Sequence, residues 1–568
     1  MQVQKISLLI FSLLCAVSAQ PAFAADAIYF GGDILTMKGH KPTYVEALVV
    51  DNGKIQFVGK KDQAFALKDA KTKLIDLQGK TLIPGMIDGH GHITQLADGL
   101  EQAELSPPPI GGVKSVADIV AELKKLKDRL KLGDGDIIVG RGYDQDLLVE
   151  KRHPTAAELD AAFPKNPVIL RHSSGHMLVA NSLAFKEAGI TEATQDPEGG
   201  KFIRIPGSNK LEGLVQEVAM KPFLPMMMKP KPIAKEMQLL KQAMTEYAKY
   251  GVTTANEALA MPPKMELLEY AAKNKELFID IVALPAFLIA DQVVGTGKVK
   301  WGEYNNGLMY AGLKIALDGS PQGKTAYLTK PYLTEVPGCT DHCHGFANLT
   351  QDEINNYFVM TYKNNVQLFA HCNGDASIDM MIKGHQYAQK ILNTPNTDRR
   401  TVIIHSQIMR PDQMEAYKKY KFFPSFFTNH TYYWGDVHIA NLGANRAAYL
   451  SPMESAYKKG LIFANHTDVP VTPINHMFLL WTSVNRVSRE GKVVGAKERV
   501  SPYVGLQALT IGGAYAYHEE ANKGTLEPGK LADLVVLDSN PLKIDSMKIK
   551  DIQVLKTIKA GREIYSLN

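Results

Sequence analysis

The chain has 568 residues, of which 45% are hydrophobic and 22% charged, so it is long and apolar enough to bury a large core. This unbiased composition excludes a disordered or fibrous protein. The net charge is +5, but lysine and arginine are scattered singly or in short groups, which predicts a solvated surface and no nucleic-acid partner.

The first 24 residues have the pattern of a secretory signal. Lys5 precedes an apolar stretch from Ile6 to Val17, and Ala22-Phe23-Ala24 is a small-x-small cleavage site. The apolar stretch is too short to span a bilayer, and no later segment is apolar enough. We therefore expect a signal peptide over 1–24, no stable membrane insertion, and a mature protein that is periplasmic or secreted.

Both ends of the mature chain are rich in short β-like runs. Ala47–Val50 leads into the hairpin turn Asp51-Asn52-Gly53, and Leu534–Leu537 is a similar run near the other end. We assign residues 25–80 and 506–568 to one β-sandwich that is assembled from both chain ends.

The centre of the chain, residues 81–505, alternates apolar strands with helical stretches. The segment Lys235–Tyr250 is typical of a helix, and Gly251–Thr254 after it is typical of a strand. This alternation predicts a parallel sheet, open or closed. An α/β segment of about 106–230 is expected to be inserted after the first central strand.

The sharpest motif is a strand that ends in His90-Gly91-His92. Residues i and i+2 on a strand point to the same side, so both imidazoles can converge on one ion. Two such histidines, taken alone, are more often ordinary packing or surface residues.

Three later strand-like runs end in further metal-ligand residue types, at His371, His405 and Asp468. In a parallel α/β barrel the carboxyl ends of all strands open on one face, so these side chains would meet there. Imidazole and carboxylate groups suit zinc and similar divalent ions.

Lys314 is unusual because it lies inside the apolar run 309–317. Burial disfavours the charged form of a lysine, and a neutral amine can react with carbon dioxide to form a carbamate that bridges two cations. The alternative is an ordinary ion pair with a carboxylate such as Asp318.

These motifs resemble the amidohydrolase superfamily, and in particular its amidohydrolase-3 family, over nearly all of the mature chain. The matching segments, in the family's order, are PGMIDGHGH at 84–92, GVTTANE at 251–257, LDGSPQGKTAY at 317–327, HCNGD at 371–375, HTYYWGD at 430–436 and GKLADLVVLD at 529–538. The resemblance implies a mixed α/β fold: a distorted (β/α)8 TIM barrel, with a β-sandwich from both chain ends and an α/β insertion after the first barrel strand.

The resemblance also implies a site for two divalent metal ions, with zinc expected. The implied ligands are His90, His92 and Asp468 on the inner ion, His371 and His405 on the outer ion, and Lys314, carboxylated by carbon dioxide or bicarbonate, between them. The chain departs from the family in the residues Asn465-His466-Thr467 before Asp468, where Gly-Ser or Ser is common. His466 is expected to alter the surroundings of Asp468.

Three residues are candidates for contact with substrate. His176 ends the segment RHSSGH at 171–176, which matches a family motif, whereas His430 and Trp434 lie where the loop after a late strand is expected. We expect His176 and His430 to act in catalysis and substrate binding, because a histidine can stabilise a carbonyl oxyanion. Trp434 would bind substrate as a pocket wall, or alternatively belong to an aromatic cluster that holds its loop together.

The function that follows is hydrolysis of a C–N bond in a small molecule, such as an amide, N-acyl or N-formyl compound. The expected reaction is attack by a hydroxide that bridges the two metal ions, with Asp468 as proton shuttle. Hydrolysis of an ester, lactone or cyclic imide, or deamination, is the alternative at the same site. A non-catalytic periplasmic binding or regulatory protein is the alternative of another class, and a homo-oligomer stays open.

Cysteines leave one structural choice open. Cys339 and Cys343 can close a small loop as a disulfide in an oxidising compartment, or the loop can hold a surface metal ion through His342 and His344.

Overall fold

The structure is a computed structural model that describes residues 25–108, 110–227, 231–336, 338–394 and 397–567. The predicted signal peptide lies outside these residues. In the described ranges, none of the helices is both long and apolar enough to cross a bilayer.

Strands and helices alternate along most of the described chain, which makes it a mixed α/β protein. The strands are β1 (Ala27–Leu35), β2 (Tyr44–Asp51), β3 (Lys54–Gly59), β4 (Lys73–Asp76), β5 (Thr81–Pro84), β6 (Met86–Ile87), β7 (Ala103–Glu104), β8 (Ile138–Tyr143), β9 (Val168–His172), β10 (Met177–Ala180), β11 (Gly200–Arg204), β12 (Leu211–Glu217), β13 (Val252–Ala260), β14 (Asp280–Pro285), β15 (Tyr304–Asn305), β16 (Leu308–Tyr310), β17 (Gly312–Ala316), β18 (Gln367–Cys372), β19 (Val402–His405), β20 (Phe423–Phe426), β21 (Ala464–Asn465), β22 (Leu534–Leu537), β23 (Val554–Lys559) and β24 (Arg562–Ser566).

The α-helices are α1 (Lys61–Phe65), α2 (Ile93–Gly99), α3 (Val116–Leu130), α4 (Ala156–Ala162), α5 (Ser182–Glu187), α6 (Leu224–Met227), α7 (Ile233–Lys249), α8 (Pro262–Lys273), α9 (Ala290–Val293), α10 (Gln351–Lys363), α11 (Asp375–Leu392), α12 (Pro411–Tyr420), α13 (His430–Tyr433), α14 (Gly435–Leu442), α15 (Ala444–Ala448), α16 (Met453–Lys458), α17 (His476–Asn485), α18 (Pro502–Leu509) and α19 (Ile511–Ala516). Short 3-10 helices cover Gln145–Leu147, Val218–Phe223, Phe287–Ile289, Ala496–Glu498 and Ser546–Asp551.

Local sequence signals account for several helix positions. The helix predicted over 235–250 is α7, which buries one apolar face that includes Leu240 and Met244. Helix α10 begins with a capping box, in which the Thr350 side chain accepts from the backbone N–H of Glu353 and the Glu353 side chain accepts from the Thr350 N–H.

The two chain ends share one eight-stranded sheet, in the order β24-β23-β22-β5-β1-β2-β3, with β4 beside β1. Strand β22 pairs antiparallel with β5, so that Leu534 lies opposite Pro84 and Leu537 opposite Thr81. The first segment that enters this sheet therefore runs to Pro84, and the last begins at Leu534. Leu48, Leu82 and Leu534 belong to its buried apolar cluster.

The central region forms two five-stranded sheets, in the orders β15-β16-β14-β13-β6 and β17-β18-β19-β20-β21. All neighbouring strands are parallel except the short pair β15 and β16. Backbone contacts link the two sheets at two places. The parallel bridge Ala286–Lys314 joins the residue after β14 to β17. Beyond the edge strands β6 and β21, hydrogen bonds run from Asp468 N to His90 O (3.1 Å) and from His92 N to Val469 O (2.8 Å).

A third sheet, β11-β12-β10-β9-β8-β7, lies in the chain between α2 and β13. Its strands are buried on both faces: Leu170 and Val179 belong to one apolar cluster, and Ile169 and Leu178 to another. This inserted sheet matters for function because its strand ends carry side chains to the carboxyl ends of the central strands.

Candidate metal centre and substrate cavity

The six predicted ligands surround one place in the molecule. One cavity of about 170 Å³, here called the metal cavity, is lined by His90, His92, Lys314, His371 and Asp468. His371 and Asp468 also line a small adjoining cavity, together with His405. All six residues lie within or just beyond the central parallel strands, and all but the partly buried His92 are buried.

The first group of donors comes from residues that follow the first and the last of the central strands. His90 and His92 follow β6, and Asp468 follows β21. Asp468 Oδ1 lies 3.3 Å from His90 Nε2 and 3.5 Å from His92 Nε2. One donor atom from each of the three residues falls within 4.8 Å of the others. His92 Nδ1 donates to the carbonyl oxygen of Ala258 at 2.7 Å, which leaves the Nε2 lone pair for a metal ion.

The second group lies on the neighbouring strands. His405 Nε2 is 2.9 Å from His371 Nδ1 and 3.9 Å from Asp468 Oδ2, and His405 Nδ1 is 3.1 Å from His466 Nε2. His405, His466 and Asp468 form a second set of donors within 4.8 Å. His466 is also held by Ser425, whose Oγ is 2.8 Å from His466 Nδ1. The structure thus brings into the cluster a histidine that the sequence singled out only as a departure from the family pattern.

Lys314 is 2% exposed, and within the described residues its Nζ has no hydrogen-bond partner. Burial lowers the pKa of Lys314 from its ordinary value of 10.5 to about 7. Asp318 does not pair with it. The Asp318 carboxylate instead accepts from Asn373 N at 2.9 Å, Gly374 N at 2.7 Å and Ser377 Oγ at 2.9 Å.

The protonation states suit metal binding. Burial holds the pKa of His90, His371 and His405 well below the usual histidine value, and neutral imidazole is the form that coordinates metals. Burial acts to raise the pKa of Asp468, but contacts with His90 and His92 outweigh it and hold that pKa well below its usual value. Neutral imidazoles, an ionised carboxylate and a buried amine without a partner are a donor set that fits divalent cations.

Several residues at the site have an uncommon backbone conformation. His405 has φ 74°, Asp468 has φ 52°, Leu259 has φ 66° and Glu217 has φ 50°, all in the left-handed region that side chains other than glycine rarely adopt. Such residues cost about 1–3 kcal/mol each and cluster at functional sites, so the surrounding packing keeps these side chains where they are.

His176 reaches the cluster from the turn between β9 and β10 of the inserted sheet. Its ring centroid lies 4.8 Å from that of His371, and its Nδ1 is 3.0 Å from Glu217 Oε2. Burial acts to lower the pKa of His176, but Glu217 outweighs it and the pKa is raised. His176 is therefore suited to donate a hydrogen bond at the edge of the metal cavity.

His430 and Trp434 occupy different positions. His430 lines the small cavity with Asp468, and its Nδ1 is 2.9 Å from His438 Nε2. Trp434 lies behind His430 with 4.7 Å between ring centroids, and its Nε1 donates to Asp144 Oδ2 at 2.5 Å. This arrangement matches an aromatic support for His430, and the pocket-wall role of Trp434 stays a prediction.

A larger cavity of about 750 Å³ adjoins the metal cavity. The two share Gly175, His176, Leu259 and Ala316 in their linings. Most of the large cavity is lined by side chains from segments far apart in the chain, among them Leu224, Phe287, Leu349 and Tyr357. Sequence patterns carry no signal for such a space, because it depends on how distant segments pack.

Imidazole and carboxylate donors lie together at the ends of parallel strands in this mixed α/β chain. This arrangement is typical of metal-dependent hydrolases. Comparison with known families agrees: a profile described as "Amidohydrolase family" matches residues 73–565. The chain belongs to the amidohydrolase family, as its motifs predicted.

Individual relatives are distant. "Protein LONG AFTER FAR-RED 3" of Arabidopsis thaliana is 27% identical over 574 residues, covering 98% of this chain and 94% of that protein. "N-substituted formamide deformylase" of Arthrobacter pascens is 24% identical over 526 residues, covering 91% and 94%. An uncharacterized metal-dependent hydrolase from Pyrococcus horikoshii OT3 superposes with a TM-score of 0.72 at 23% identity, covering 92% and 99%, which shows a shared fold.

Proposed function

We propose that the chain hydrolyses a C–N bond of a small molecule, in an amide, N-acyl or N-formyl compound. The observation that carries this proposal is the convergence of six candidate ligands on two adjoining cavities, with the amine of Lys314 buried among them and without a hydrogen-bond partner in the described chain. Family membership supports hydrolysis, and the name of the Arthrobacter pascens relative supports the N-formyl class.

The donor groups suggest how the ligands divide. His90, His92 and Asp468 would hold one divalent ion and His371 and His405 a second, with zinc as the expected metal and His466 as an added candidate. Lys314, carboxylated by carbon dioxide or bicarbonate, would bridge the two ions. Bound metal ions would lower the pKa of a water molecule and polarise the substrate carbonyl.

The chain's own groups would handle protons and charge. Asp468 would accept a proton from the attacking water and pass it to the leaving nitrogen, so no covalent enzyme intermediate is needed. His176, oriented by Glu217, would donate a hydrogen bond to the carbonyl oxygen as negative charge develops there. His430 lines the same region beside Asp468 and is the second candidate for contact with substrate.

The proposal also includes a barrel, a β-sandwich and export of the chain. We infer that the two central sheets form one distorted eight-stranded barrel, in which β16 and β17 make one interrupted strand and β15 lies outside, because backbone contacts join the sheets at two places. The sheet shared by the chain ends would belong to the β-sandwich. Export through a signal peptide is supported by the disulfide that joins Cys339 and Cys343, since disulfides persist in oxidising compartments.

The test combines metal content with hydrolysis. We expect purified protein to contain bound divalent metal by elemental mass spectrometry and to release formate or acetate from N-formyl and N-acetyl amines. Chelation should abolish this activity and metal should restore it. Asp468→Asn should lower kcat by about 10²- to 10⁴-fold with a smaller effect on KM.

Other outcomes would redirect the proposal. Hydrolysis of a matched ester but of neither amide would move the reaction class to ester hydrolysis. Protein that binds no metal, even after incubation with zinc and bicarbonate, would bring forward the non-catalytic alternative. Equal losses in kcat and in substrate binding for Asp468→Asn would contradict its role as proton shuttle.

A further inference from the structure

The metal cavity is lined by two arginines in addition to the ligand cluster. Arg141 lies on β8 and Arg171 on the adjacent parallel strand β9, and the two residues are direct partners in the register of the inserted sheet. Two like charges directly opposite each other on neighbouring strands are unfavourable. We therefore expect anionic groups close to these two cations.

Within the described residues, one of the two arginines has a carboxylate partner and the other has none. Arg141 Nη2 lies 2.8 Å from Glu104 Oε2, and Arg141 Nε donates to the carbonyl oxygen of Gly99. Arg171 Nη2 donates to Gln95 Oε1 at 2.9 Å, which is a neutral amide. Among the described residues, no carboxylate lies within ion-pair distance of Arg171.

The carboxylate that acts on Arg171 from farther away is already engaged. Asp98 raises the pKa of Arg171, but burial and Arg141 outweigh it and lower that pKa. The Asp98 carboxylate itself lies 3.0 Å from Lys264 Nζ and 3.7 Å from Lys231 Nζ. It is thus neutralised by two lysines.

Arg171 therefore brings a cation with spare donors to the metal cavity. A guanidinium has five N–H groups and does not lose its charge in proteins, and one contact to Gln95 leaves several donors free. The planar fork of these donors matches a carboxylate through two parallel hydrogen bonds. Arg171 and its partner Gln95 both line the cavity of about 170 Å³, which is large enough for a carboxylate beside the reacting group.

We propose that Arg171 binds a carboxylate of the substrate, so that the preferred substrates are N-acyl or N-formyl compounds that carry a carboxylate near the scissile bond. This inference rests on the proposed function, because it names the substrate class of the same site. Arg171 acts as a specificity residue, and it takes no part in the proton transfers.

The first part of the test compares two substrates of equal shape and different charge. N-formylphenylalanine and N-formylphenylalaninamide are offered to the purified metal-containing protein, and formate release is measured. The parent should prefer the acid, and Arg171→Gln should lower kcat/KM for the acid by about 10- to 100-fold while changing that for the amide little, because a hydrogen bond to a charged group contributes on this scale.

The control is an arginine of the same inserted sheet that has its own carboxylate. Arg204 Nη1 lies 3.1 Å from Asp196 Oδ1, and Arg204 is absent from the lining of the metal cavity. Arg204→Gln should leave the preference for the acid unchanged. Arg171→Lys keeps the charge without the fork and should give an intermediate preference; it also serves if Arg171→Gln does not fold.

A binding measurement separates this inference from the proposed function. Propanoate and 3-phenylpropanoate contain no scissile bond, and their binding to the purified protein is followed by calorimetry. We expect both acids to bind the parent about 10- to 100-fold more tightly than Arg171→Gln. A carboxylate held only by a bound metal ion would bind both proteins alike.

The outcomes separate the two ideas. If no substrate is hydrolysed but acid binding depends on Arg171, the proposed reaction fails and the carboxylate site stands. If both formyl substrates are hydrolysed equally well, with or without Arg171, the reaction stands and the carboxylate site is overturned. Failure of both acids to bind the parent also overturns it.

Discussion

Lys314 and Lys523 are each 2% exposed, and they lie near opposite ends of the central parallel strands. Lys314 lines the metal cavity, where its Nζ has no partner among the described residues, and burial lowers its pKa to about 7. Lys523 Nζ lies 2.5 Å from Asp280 Oδ2 and 2.9 Å from Glu519 Oε2. Burial acts to lower the pKa of Lys523 as well, but these two carboxylates outweigh it and raise the pKa.

This difference in partners distinguishes Lys523, whose charge has a structural role, from Lys314, whose amine is a candidate functional group. The Lys523 cluster extends to Lys559, whose Nζ is 2.6 Å from Asp280 and 2.7 Å from Asp533. Asp280 begins β14, whereas Lys559 ends β23 and Asp533 immediately precedes β22 of the sheet formed by the chain ends, so the cluster joins the two regions. Removing one partner from a buried ion pair is strongly destabilising, so Lys523 is needed where its carboxylates are buried, whereas a buried amine with a shifted pKa in a cavity is typical of a functional site.

Replacing each lysine by methionine, which is similar in length and uncharged, tests the difference between the two positions. Lys314→Met should lower hydrolysis by about 10³-fold or more, because charge stabilisation by a bound metal is worth several kcal/mol. In the metal-free protein it should leave the free energy of unfolding unchanged or higher, since there it removes a buried polar group without a partner among the described residues. Metal content, product release and urea unfolding are the measurements.

Lys523→Met should have the opposite profile. It removes the cation between Asp280 and Glu519, and breaking a buried ion pair costs about 3–5 kcal/mol. The free energy of unfolding in urea should fall by this amount, while metal content and activity per folded molecule stay at the parent level. Lys314→Met is the matched control; if the two variants exchanged profiles, the functional assignment of Lys314 would be wrong.

Tyr304→Phe removes a hydroxyl at the edge of the Lys523 cluster, and we expect it to lower the free energy of unfolding less than Lys523→Met does. The Tyr304 hydroxyl donates to Glu519 Oε2 at 2.8 Å and accepts from Lys523 Nζ at 2.9 Å. The substitution keeps the ring, over which Lys523 Nζ lies at 4.5 Å, and it leaves both charged groups with other partners. We expect a loss of about 1 kcal/mol in unfolding free energy. A loss as large as that of Lys523→Met would show that the hydroxyl, rather than the carboxylates, compensates the buried charge.

The sequence was informative about the site wherever the signal was local. His371 and His405 end apolar strand-like runs, and the structure has them at the ends of β18 and β19. Lys314 was identified because a lysine inside an apolar run is unusual, and it is buried in β17. Residue type and strand period need no knowledge of distant contacts.

Other parts of the site carried weak local signals or none. His466 was noticed only because it breaks a family pattern, although it lies 3.1 Å from His405. Arg171 lies in the segment RHSSGH, whose motif points to His176, and its position opposite Arg141 depends on the register of two strands. The Lys523 cluster joins groups 243 positions apart, at Asp280 and Lys523, and no sequence pattern predicts it.

The family, the mixed α/β class and the residue types that end the central strands follow from motifs and from short-range periodicity, so the amino-acid sequence is enough to predict them. Which of the buried charges have partners depends on the tertiary structure. Those partners come from the register of strands and from the packing of segments far apart in the chain. Lys523 has carboxylate partners at one end of β14, whereas the amine of Lys314, near the other end, has none among the residues that the structure describes.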